Sequence, residues 1–167
     1  MTVSSNLGRT WTVEVVPVGR ADAADLLREY VTEVVSRYYH RPATDAEVDA
    51  ATDGDPGAGL APPGGLFLLA RLDGGPAGCV GLRLVGPEVA EIKRLYVRPR
   101  TRGLGGGALL LGAVERAARD LGASSVRLDT RHDLVEARRL YARHGYVETA
   151  PYSDDPYADH WFGKCLA

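Results

Sequence analysis

The chain of 167 residues carries 20 basic and 22 acidic side chains, a formal charge of −2 and a pI near 6.1. This balance gives no general drive toward nucleic acid or an anionic membrane. Two cysteines outside any Cys-x-x-Cys pair and four histidines without paired spacing imply no metal site and a reduced, cytoplasmic protein. At this length the size prior is one domain, residues 1–167. The N-terminus has no basic region followed by an apolar core, and no apolar run approaches about 20 residues, so neither export nor a membrane span is expected.

Val and Thr content makes Trp11 to Val18 a first strand. Asp22 is placed to cap a helix whose apolar positions Leu26, Leu27, Tyr30, Val31, Val34, Val35 and Tyr38 form one buried stripe. Residues 41–65 turn rich in Pro, Gly and Asp and read as a long mobile connection, with one helical turn near Ala46 to Ala51. Leu66 to Leu72 and Ala77 to Val85 flank Asp73-Gly74-Gly75-Pro76, the signal of an antiparallel hairpin. Val89 to Val97 is the next strand, and the adjacent charges Lys93 and Arg94 predict a bulge in it. A helix over 107–121 turns Leu110, Val114, Ala117 and Leu121 inward, leaves a Glu115–Arg119 pair exposed and stops at Gly122. Val126 to Leu128 makes a short strand. Asp133 and Glu136 suggest a capping box for a helix that buries Leu134, Ala137, Leu140 and Tyr141 and ends at Gly145. Two last strands fall near Tyr146 to Thr149 and His160 to Leu166.

The segment between the strand ending at Val97 and the helix at 107 carries the chemistry. Tyr96-Val97-Arg98-Pro99-Arg100-Thr101-Arg102-Gly103-Leu104-Gly105-Gly106-Gly107-Ala108 runs from strand through arginines and glycines into a helix. Glycines let successive amides converge, and a helix N-terminus carries partial positive charge, so the segment suits a phosphate chain. It is not a Walker A loop, because no Gly-Lys-Ser/Thr closes it. It does satisfy Gly-x-Gly-x-x-Ala through Gly103, Gly105 and Ala108, with Asp129 at the distance of a ribose-binding acid. Against that dinucleotide reading, five residues separate Val97 from Gly103, and strands precede the loop.

The combination Val97-x-Pro99-x-x-Arg102-Gly103-x-Gly105-x-Gly107, followed by Ala137-x-x-Leu140-Tyr141-x-x-x-Gly145-Tyr146, resembles the GNAT superfamily of acetyl-CoA-dependent N-acetyltransferases. Its closest stretch covers about residues 65 to 150. The resemblance implies an α/β (α+β) fold: a central mixed, mostly antiparallel sheet of six to seven strands, about four helices and a splayed central strand pair. It implies acetyl-CoA as donor, with Arg102, Gly103, Leu104, Gly105, Gly106, Gly107 and Ala108 around the pyrophosphate and the backbone of Leu95, Tyr96 and Val97 along the pantetheine arm. Glu91 looks like the catalytic glutamate of the histone-acetylating branch, and Tyr141 like the tyrosine that protonates the departing thiolate. One departure is Leu134, where the family usually has Asn.

The acceptor side is expected among Tyr38, Tyr39, Tyr152, Tyr157 and His160, where aromatics beside carboxylates can hold a cationic amine. The reading is a bacterial enzyme, a monomer or homodimer, that acetylates a primary amine on a small molecule. Two alternatives stand beside it: a protein lysine or N-terminal acetyltransferase that uses the acidic run at 45–55, and a non-catalytic CoA-binding sensor.

Overall fold

Asp73 and Gly74 adopt positive φ, 50° and 88°, so β3 (Gly65–Leu72) and β4 (Gly75–Leu84) fold back on each other as the Asp-Gly pair predicts. The computed structural model describes residues 2–4, 8–54, 57 and 59–167. Asp55 and some other positions of the 41–65 connection lie outside the described residues. Around this hairpin, β1 (Thr2–Ser4), β2 (Thr10–Val15), β5 (Val89–Val97), β6 (Ser125–Thr130), β7 (Val147–Thr149) and β8 (His160–Cys165) complete one sheet. Its order is β1-β2-β3-β4-β5-β6-β8-β7, and among the described residues only the β5–β6 pair is parallel. The described residues thus hold eight strands, not six or seven. The extra one is β1, a three-residue edge strand too short to leave a period-2 signature.

Among the described residues four α-helices cover the sheet: α1 (Ala21–Tyr39), α2 (Asp45–Gly54), α3 (Gly106–Asp120) and α4 (Val135–Arg143). Alternation along β3 divides the core. Leu68, Ala70 and Leu72 join Trp11, Val80, Leu82, Leu110 and Val114 on the α3 side, while Phe67 and Leu69 join Leu26, Leu60 and Cys79 on the α1 side. Cys79 is buried and Cys165 exposed, and both are free thiols.

Several sequence expectations change. The residues after position 41 contain a ten-residue helix, α2, rather than one turn. Thr44 Oγ1 accepts the Glu47 amide at 3.2 Å and Glu47 accepts the Thr44 amide at 2.9 Å, a reciprocal cap that outweighs the local Gly and Asp content. Conversely, Asp133 and Glu136 do not box α4: Asp133 pairs with Arg131 and Glu136 with Arg37, and the N-cap is Leu134 without a side-chain bond. Asp22 does not cap α1 either, whose N-cap is Arg20, although Asp22 accepts the Ala23 amide at 2.9 Å.

Glu115 is the largest correction. It is 8% exposed, not on the surface, and accepts bonds from the Tyr146 hydroxyl (2.9 Å) and Lys164 Nζ (2.9 Å). Arg119 instead bonds the Leu166 carbonyl.

Candidate active site

The bulge predicted at Lys93-Arg94 sits in β5 and reorients its second half. Gly81 pairs with Lys93 and Cys79 with Tyr96, so three steps on β5 match two on β4, and Arg94 takes φ 58°. Ala90 and Ile92 face α3 before the bulge, whereas Leu95 and Val97 do so after it. Tyr96 therefore points to α1, where it meets Tyr30 edge-on at 6.1 Å.

β5 and β6 pair only over Val89–Glu91 and Ser125–Arg127. Beyond that point β5 stays bonded to β4 and β6 to β8, so the two central strands diverge. The edge of Leu95, Tyr96 and Val97 that faces β6 is left without a strand partner. Such an edge can bond an extended, amide-bearing chain.

At the end of β5, a 3₁₀ turn (Pro99–Thr101) leads into the glycine loop. Gly103 and Gly105 take φ 78° and 89°, a conformation costly for a side chain, and space is open where either Cβ would stand. Gly106 and Gly107 are glycine for another reason: a Cβ on Gly106 would lie 2.5 Å from the Trp11 ring, and one on Gly107 2.9 Å from Leu140. Trp11 also donates its indole N–H to the Leu104 carbonyl at 2.9 Å, which pins the loop to β2. No side chain caps α3 and no acid stands in its first turn, so its leading amides, Ala108 included, keep their donor capacity. These features fit a bound pyrophosphate.

Arg102 sits differently from the expectation. Its amide closes the 3₁₀ turn on Pro99 (3.3 Å), and its guanidinium bonds the Val97 carbonyl (2.9 Å) and Glu33 of α1 (2.7 Å). The amides on offer thus begin at Gly103. Arg98 is likewise tied to Glu29 through two bonds.

Glu91 is 5% exposed at the last paired position of β5. Its carboxylate accepts from Arg83 (2.8 Å) and Arg127 (3.1 Å), with Lys93 at 3.8 Å. Tyr141 of α4 is buried against Tyr146 and Phe162, with ring centroids at 5.7 and 5.9 Å. Burial, then the nearby Tyr30 and Asp129, push its hydroxyl well above the ordinary tyrosine range, so it stays protonated.

The expected acceptor residues form two groups. Tyr38, Tyr39 and Tyr157 cluster at the end of α1, with Tyr38 and Tyr157 5.6 Å apart, and Arg131 and Arg41 lie against Tyr38 and Tyr39. Tyr152 lies apart from them, its ring 4.0 Å from the Arg127 guanidinium. It borders a groove of about 670 Å³ along β6, β8 and β7. His160 is bonded to Glu148 at 2.5 Å. The acidic run is largely spent within the protein: Asp45 and Asp49 pair with Arg28, and Glu47 with Arg41. Asp129 lies on β6 two residues beyond the last one paired with β5, and the sequence reading gives it only as a possible ribose ligand.

The chain belongs to the acetyltransferase (GNAT) family, whose model matches residues 25–146. An uncharacterized N-acetyltransferase of Schizosaccharomyces pombe is 45% identical over 97 residues, which are 57% of this chain and 60% of the relative. The aminoglycoside N(6')-acetyltransferase type 1 of Stenotrophomonas maltophilia is 33% identical over 94 residues, 52% of this chain and 61% of that protein. The chain therefore matches about three fifths of the length of these curated relatives. Among solved structures, the PaiA N-acetyltransferase of Thermoplasma acidophilum in complex with coenzyme A shares the fold. It superposes with a TM-score of 0.69 at 19% identity, covering 92% of this chain and 99% of that one.

Proposed function

We propose that this chain is a single N-acetyltransferase domain that moves the acetyl group of acetyl-CoA to a primary amine on a small molecule. The observation that carries the reading is the divergence of β5 and β6 directly beside the uncapped, glycine-lined start of α3. When bound, acetyl-CoA supplies an activated acetyl thioester. Gly103 to Ala108 would hold its pyrophosphate by main-chain amides, and the free edge of Leu95 to Val97 would align the pantetheine arm. Such alignment can account for about 7–11 kcal/mol of a barrier. An amide on this edge would also polarise the thioester carbonyl.

A primary amine must lose a proton to attack, and Glu91, directly or through water, is the proposed sink on the acceptor face. Tyr141, held protonated by its surroundings, would donate to the departing sulfur. The N(6')-acetyltransferase relative supports a small amine-bearing acceptor. So does the pairing of the acidic run with Arg28 and Arg41, which leaves little free charge for a lysine-rich tail. Tyr38, Tyr39, Tyr152, Tyr157 and His160 remain the proposed acceptor contacts. Among the described residues no helix is long and apolar enough to cross a membrane, which agrees with the proposed cytoplasmic setting.

A panel of small amines and lysine peptides, read by release of free CoA thiol, tests the assignment. Turnover with small amines above that with peptides is the expected result. Preference for peptides would move the acceptor to protein, and thiol release with neither would remove the transferase reading.

A further inference from the structure

We infer that Asp129 is the group that first receives the proton of the attacking amine, a role that rests on the acetyl-transfer reading above. Asp129 stands two residues beyond Arg127, the last β6 residue paired with β5, and so on the same side of the strand where the two strands have diverged. Its carboxylate makes no hydrogen bond or ion pair among the described residues. Glu91 differs: its two oxygens already accept from Arg83 and Arg127. Of the two carboxylates on this face, Asp129 has the more lone pairs to spare.

Its surroundings suit the task. Burial raises its proton affinity first, followed by the charges of Asp155, between β7 and β8, and of Glu91 on β5; Lys93 and Arg127 oppose this more weakly. The Tyr141 hydroxyl of α4 and the Tyr30 hydroxyl of α1 both sense the Asp129 charge, as does Tyr152. The proposed acid, Tyr141, and this base thus lie within electrostatic reach of each other. As the nitrogen lone pair forms the bond to the acetyl carbon, an N–H bond breaks and its proton passes to Asp129. The C–S bond breaks, and the sulfur takes the Tyr141 proton. Solvent then removes the proton from Asp129 and returns one to Tyr141.

The test compares Asp129→Asn and Glu91→Gln with the wild type. Asp129→Asn should lower kcat by about 10²-fold or more and abolish the acidic limb of the pH–rate profile. CoA affinity by isothermal titration should stay unchanged, and Glu91→Gln should lower kcat by a smaller factor while the limb remains. A second readout needs no cofactor. Folded Asp129 holds its proton more tightly than the unfolded chain does, so its contribution to wild-type stability falls as pH rises from the ordinary carboxylate range through the raised value, then levels. Asp129→Asn lacks this loss and should therefore be the more stable protein at pH 7, with the gap closing in acid.

A less stable Asp129→Asn at pH 7 would make Asp129 a structural carboxylate and overturn the inference. So would an unchanged pH–rate profile in an active variant, which would leave the transfer reading standing. A wild type that binds CoA yet acetylates no amine would end both.

Discussion

Tyr141→Phe should lower turnover by about 10²-fold while leaving the affinity for acetyl-CoA nearly unchanged. The substitution removes one hydroxyl and keeps the ring that packs on Tyr146 and Phe162, so the fold and the cradle at Gly103 to Ala108 remain. What it removes is a proton donor. Burial and the neighbouring Tyr30 and Asp129 keep that proton on the oxygen, so the donor is loaded when the sulfur departs. Steady-state kinetics with the best amine, alongside titration of CoA, check the split between kcat and affinity. Unchanged turnover would take Tyr141 out of the reaction and return it to core packing.

Trp11→Ala should lower stability by about 3–5 kcal/mol, because it empties a large buried site. Trp11 is 3% exposed and fills the space against Gly106. For a domain of this size the loss corresponds to a fall of roughly 10 °C in Tm. The substitution has a second consequence, because the indole N–H holds the Leu104 carbonyl within the glycine loop. Trp11→Phe separates the two effects. It keeps most of the packing and loses the bond, so CoA binding should weaken by up to about fivefold for a loss near 1 kcal/mol. Calorimetric melting and CoA titration of both variants measure this. Full CoA affinity in Trp11→Phe would show that the loop holds its shape without β2.

The elements most legible in the sequence are those written in local backbone chemistry. The Asp73-Gly74 turn needs two residues of positive φ, and the Lys93-Arg94 pair breaks a period of two; both leave marks within a few residues. The glycine loop is legible for the same reason. What stays hidden depends on partners distant in the chain. Glu115 on α3 reads as a surface residue with Arg119 one turn away, yet it is buried by Tyr146 and Lys164, 31 and 49 residues on. Asp133 and Glu136 have capping-box spacing, but Arg131 and Arg37 claim them. The sequence reading shortens the α2 helix to one turn although Thr44-x-x-Glu47 announces it, because Pro, Gly and Asp nearby favour a loop. Asp129 enters the site only because the pairing of β5 with β6 stops at Arg127, a property of the sheet and not of any short segment.

Isothermal titration of the purified protein with coenzyme A, and separately with NAD, addresses the pyrophosphate cradle most directly. Amides from Gly103 onward, set beside an unpaired strand edge, should bind coenzyme A far more tightly than the dinucleotide. Tighter binding of NAD, or no heat with coenzyme A, would contradict the cradle and every step built upon it.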